Sequence, residues 1–200
     1  MFKHLAMLAA AFLCGSCTKQ VDGQPDSLVG ATNRPSAEAL SRETLYITRG
    51  ANDWGGDRLS YELRPDGSLT ITHTSSDGRT PKEVVRGRDA FRIEPDVAAR
   101  FRRLMWRVRP DLLEAQGLEK NEVRPVGCER RGPHDFGEVG VAFIKEGDDM
   151  TTKDDGVALF ELPQPGSCTT RAAKLARETV WGALRLLPSS RAVEGFERAS

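Results

Sequence analysis

Long hydrophobic runs and any excess of charge of one sign are missing from this chain, and cysteine and histidine are scarce. The one apolar run, Leu5 to Leu13, is too short to cross a bilayer as a mature helix. Lys and Arg total 29 and Asp and Glu total 29, so nothing in the bulk charge points to nucleic acid or an acidic substrate. An interaction site must then be a local patch. Histidine occurs three times and cysteine four, with no CxxC pair accompanying Cys128 or Cys168. No serine lies in a GxSxG setting, and Walker, GxGxxG and HExxH motifs are all missing. The loop from Glu146 to Gly156 is rich in carboxylates, but its spacing matches no EF-hand and Lys153 interrupts it. The expectation is a chain with no catalytic constellation, no metal and no cofactor.

What is present begins with an address. Lys3 and His4 precede the apolar run, which ends in Leu13-Cys14-Gly15-Ser16-Cys17. Small residues directly before a cysteine resemble the signal of a bacterial lipoprotein, with Cys17 at the position that is cleaved before and acylated. Cys14 stands where the pattern usually has Leu or Val. The resemblance implies removal of residues 1–16 and a lipid anchor on Cys17. With Thr18 following the anchor, it also implies a lipoprotein of the outer membrane facing the periplasm. An ordinary secretory signal cleaved near Ser16 is the alternative. Either route exports the chain to an oxidising compartment. With Cys14 discarded and Cys17 acylated, Cys128 and Cys168 are left as one pair. A bridge closing about 40 residues would stabilise the fold by roughly 4 kcal/mol on the chain-entropy model.

Residues 17–42 carry scattered Pro, Gly, Ser and Asn and read as the acylated cysteine and a flexible tether. A helical turn at Ala37 to Leu40 is the one local signal there. Residues 43–188 read as a single domain. Period-two alternation marks strands at Leu45 to Thr48, Leu59 to Leu63 and Leu69 to Thr72, with Pro65-Asp66-Gly67 as the turn between the last two. A weaker strand at Glu83 to Arg86 follows Pro81, which places it near an edge. A helix opens at Glu94-Pro95-Asp96, with Val97, Phe101, Leu104, Met105 and Val108 on one arc, and Pro110 stops it. Asp111 to Gln116 adds a short helix closed by Gly117. Between Cys128 and Cys168, strands at Glu138 to Lys145 and Val157 to Leu162 form a bracketed pair, the first apolar on both faces and so interior. A last helix, capped by Thr169 or Thr170, follows with an Ala-rich arc and ends at Pro188. Residues 189–200 read as a loose tail. The expected fold is α+β: a mainly antiparallel sheet of about five to six strands with two principal helices packed on one face. No internal repeat is visible.

Aromatic and arginine residues carry the candidate binding sites, because both types are enriched at hot spots. On a helical wheel Trp106 falls opposite the apolar arc, with Arg102, Arg103 and Arg109 as its surface neighbours. These four are expected to form an exposed patch. Trp181 repeats the arrangement between Arg177 and Arg185, and Trp54 lies in a Gly-rich stretch. The expected function is a membrane-tethered periplasmic binding or envelope-associated protein without catalytic activity, holding an anionic or protein partner. The alternative is a periplasmic hydrolase using His73 or His134 beside an acid such as Asp135. It requires a concave pocket in which a histidine meets a carboxylate.

Overall fold

A computed structural model describes residues 36–52, 55–79, 82–117, 126, 128, 139–148, 156–162 and 169–199. Six strands form one open antiparallel sheet: β1 (Thr44–Asn52), β2 (Gly55–Leu63), β3 (Ser68–Ser76), β4 (Val84–Arg92), β5 (Val139–Ile144) and β6 (Val157–Leu162). Their spatial order is β4-β3-β2-β1-β5-β6. Helices α1 (Ala37–Ser41), α2 (Pro95–Trp106), α3 (Leu113–Gln116), α4 (Arg171–Leu184) and α5 (Arg191–Ala199) complete the described elements. The architecture is α+β, as the alternation of strand and helix periods implies.

β1 joins the two halves of the sheet. Tyr46 is opposite Glu62 on one side and Ala142 on the other. The turn between β2 and β3 forms as its residues dictate. Gly67 adopts φ 82°, and the Asp66 carboxylate accepts hydrogen bonds from the Ser68 amide at 2.9 Å and hydroxyl at 2.6 Å. Those bonds hold the Asp66 carboxyl below its usual range. β5 is buried on both faces and interior, as expected. At the opposite edge β4 runs on to Arg92, further than the expected strand. A bulge between His73 and Thr74 takes Arg86 out of the strand register, its guanidinium donating to the Ser75 hydroxyl at 2.6 Å. Beyond it Val84 and Val85 are exposed.

The main core fills one face of the sheet. Ile47, Leu59, Ile71, Phe143 and Phe160 meet Phe101 and Met105 of α2, Ala176 and Val180 of α4, and Phe196 of α5. Thr170 caps α4, its hydroxyl accepting from the Ala173 amide at 3.2 Å. The alanines of α4 allow a close approach to the layer beneath, and α2 packs beside it. On the other face a smaller cluster of Ala142, Ile144 and Val157 lies at the β5–β6 end. The rest of that face is polar: β3 presents Ser68, Thr70, Thr72 and Thr74, opposite Glu62 and Ser60 of β2.

Two boundaries differ from expectation. Residues 189–199, expected within a loose tail, are ordered instead, because α5 docks across β2, β3 and β4 with Ala192 and Phe196 buried. The domain also starts earlier than residue 43. Ser36 caps α1, and Leu40 is fully buried in the main core.

Candidate binding surface

The patch expected on α2 is not a surface. Trp106, Arg102 and Arg109 are buried, at 5%, 7% and 3% exposure, and only Arg103 of the four is exposed. The buried side of α2 is rotated from the apolar arc toward Arg102 and Trp106, while Val97 and Leu104 are only half-buried. The physical reason is that α2 has neighbours besides the sheet, since it contacts both α1 and α4. A wheel that counts arginine as polar assigns that flank to solvent.

Arg102 instead binds the protein's own backbone. Its guanidinium donates to the carbonyls of Leu40 at 2.9 Å, Glu43 at 2.7 Å, Leu63 at 3.5 Å and Arg64 at 2.9 Å. The α1–β1 connection and the end of β2 are thereby fastened to α2. Desolvation lowers the Arg102 pKa to about 10, opposed by the nearby Glu43 carboxylate. Arg109 makes a two-pronged pair with that carboxylate, Nε to Oε2 at 2.9 Å and Nη2 to Oε1 at 2.5 Å. Its Nη1 donates to the Pro110 carbonyl at 2.7 Å. A buried bidentate pair of this kind rigidifies an arrangement but leaves no charge for a partner.

Histidine meets carboxylate at one place. His73 Nε2 lies 2.6 Å from Asp57 Oδ1, across the β2–β3 pairing. The ring is buried and meets the edge of Phe196 at 5.9 Å between centroids. A Cβ on Gly195 would come within 3.2 Å of His73 Nδ1, so α5 closes directly over the imidazole. The imidazole is covered there, while the Asp57 side chain keeps 29% exposure, and the pair helps to seat the helix. His134 and Asp135 lie outside the described residues, as do Cys17, Cys168, Trp54 and residues 149–155. Cys128 is half-buried. Among the described residues no group of three or more His, Cys, Asp or Glu could hold a metal ion. No described helix is long and apolar enough to cross a membrane.

Trp181 differs from Trp106 in being only half-buried. The Arg49 guanidinium lies over its ring at 4.5 Å and near the Phe196 ring at 5.3 Å, joining α4, β1 and α5. Burial raises the pKa of the neighbouring Tyr61 phenol, with the hydrogen-bonded Arg49 guanidinium opposing the shift. Around Trp181 the outward stripe of α4 carries Arg171, Lys174 and, at its C-cap, Arg185, all exposed, with Glu178 as its exposed acid. Arg177 is half-buried on the flank of the stripe. Among the described residues none of Arg171, Lys174 and Arg185 forms an ion pair. By contrast Arg58 pairs with Glu83 at 2.7 Å, Arg64 with Glu62 at 2.7 Å and Arg92 with Asp66 at 3.9 Å. On α2, Arg100 and Arg103 add exposed cations beside Asp96. In a chain of zero net charge the helical layer is therefore locally basic. The periodicity of α4 and the positions of its cations were legible from sequence. What could not be read was which of the two helical tryptophans is covered.

No family model matches the chain, and no curated protein matches it in sequence.

Proposed function

We propose that this protein is a non-catalytic, membrane-tethered protein of the periplasmic envelope that holds an anionic partner on the outward face of α4. The carrying observation is the set of unneutralised cations, Arg171, Lys174 and Arg185, arranged beside the half-buried ring of Trp181. Cations without carboxylate partners keep their charge for a ligand, and a large rigid aromatic beside them loses little entropy on binding. The tether and anchor in this reading rest on Cys17 and its small neighbours. The export it implies makes a Cys128–Cys168 bridge part of the same proposal. A hydrolase reading draws no support from His73, which is closed over by α5.

Retention on a heparin column tests the binding face. The triple variant Arg171→Glu, Lys174→Glu, Arg185→Glu is expected to elute at much lower salt than the parent. Arg88→Glu, on the open face of the sheet, is expected to elute close to it. Equal retention of parent and triple variant overturns the assignment to α4.

A further inference from the structure

We propose that the anionic partner is a lipid surface, the headgroups of the bilayer in which the protein is anchored, so that acyl chains and the basic helical layer hold the membrane together. This rests on the anionic-partner reading above and adds the identity of the partner. Two observations lead to it.

The first is where the chain enters the domain. Ser36 caps α1, α1 packs on α2, and α2 packs on α4. The segment from the anchor therefore joins the domain at the helical layer, the layer that bears the cations. Eighteen residues, 18–35, separate Cys17 from Ser36. A coil of that length spans about 23 Å, comparable to the width of a small domain. The helical layer can reach the bilayer without drawing the tether taut.

The second is the chemistry of the stripe. An indole with one part packed and one part open suits the headgroup level of a bilayer, where an apolar body and a polar N–H are both accommodated. Flanking cations attract anionic headgroups, each contributing about a fivefold gain in binding near the surface. A basic patch is a common second contact that adds to a lipid anchor. The sheet's open face is a poorer match, because Arg58 and Arg92 are paired with acids there and β3 presents hydroxyls.

Vesicle sedimentation tests the proposal with purified Cys17→Ser protein, so that the acyl chains do not mask the second contact. The expected result is binding to phosphatidylcholine vesicles containing roughly one-third phosphatidylglycerol, and little binding to pure phosphatidylcholine. Binding should fall as salt rises from about 0.1 M to about 0.5 M. The Arg171→Glu, Lys174→Glu, Arg185→Glu variant should bind about a hundredfold more weakly or less, with Arg88→Glu unchanged. Should the triple variant fold poorly, the single Lys174→Gln change and the salt series on the parent carry the same test. No binding to the anionic vesicles, with α4-dependent retention on heparin, overturns the lipid surface and leaves a soluble or polymeric anion as partner. No binding to either overturns both readings. Equal vesicle binding by parent and triple variant overturns the assignment to the helical layer.

Discussion

Trp106 and Trp181 occupy similar settings in the sequence, each on a helix with arginines three or four residues away, yet Trp106 is buried and Trp181 only half-buried. Trp106 lies in the main core. Trp106→Ala should therefore lower folding stability by about 3–5 kcal/mol, the usual cost of removing a large buried aromatic. A surface tryptophan would cost about 0.5 kcal/mol, so urea unfolding separates the two. Arg102→Met should cost about 3 kcal/mol, because carbonyls of Leu40, Glu43 and Arg64 lose their donor together. Glu43→Gln should cost a similar amount by leaving the buried Arg109 charge without its carboxylate. Since Arg102 also feels Glu43, the two changes should not add; a double-mutant cycle measures the coupling. Tyr61 sets a pH dependence. Its pKa is raised in the folded state, so the folded protein holds the proton longer than the unfolded chain. The stability this confers is fully present below the unfolded value of about 10 and is lost as pH rises above it. Thermal midpoints taken through that range should fall more steeply for the parent than for Tyr61→Phe.

At the scale of the element, α5 is the part whose stability is almost wholly tertiary. Nine residues form too short a helix to persist alone, and Gly195 weakens it further. Its order comes from the sheet beneath. Ser190 caps the Val193 amide at 3.1 Å, Asp89 accepts from the Ala192 amide at 2.9 Å, and Phe196 packs on His73 and Arg49. Phe196→Ala should cost about 3 kcal/mol and leave α5 detached from β3. The proton resonances of the His73 ring would report it, because they lose the ring current of Phe196. An unchanged His73 spectrum in a folded Phe196→Ala protein contradicts this docking. Pairing with Asp57 and coverage by α5 explain how a histidine is accommodated on the apolar face of β3.

For the whole molecule, the anchor is tested by Cys17→Ser, which should abolish fatty-acid labelling and leave only a salt-sensitive membrane association that a high-salt wash removes. Label that persists in the variant, or never appears in the parent, removes the lipoprotein reading. Cys128 and Cys168 should resist alkylation together in unfolded, unreduced protein; full alkylation of both refutes the bridge. On the proposed anchor, the clamp made by Arg102 and Arg109 bears on the same tether: it fixes the α1–β1 turn, near where the chain from Cys17 would arrive. A tether that entered on the sheet's open face would turn the hydroxyl-lined β3 toward the membrane instead.

The sequence by itself determined the class of fold, because a period of two leaves one face of a strand apolar and a helical period leaves one arc, and the two must be buried together. It also determined the tight turn at Pro65-Asp66-Gly67, the helix start at Pro95, that of the last helix to within Thr169 or Thr170, and the interior place of β5, all of which are local chemistry or simple patterning. Tertiary structure decided the rest. Whether an arginine is a binding group or a clamp depends on which carbonyls lie within reach, as at Arg102, and those come from segments about 40 and 60 residues away. Whether residues 189–200 are tail or helix depends on a sheet to dock on. Two apolar anchors, Ala192 and Phe196, make no detectable period in a sequence, but on the sheet they find Gly87, His73 and Gly50 spaced to receive them.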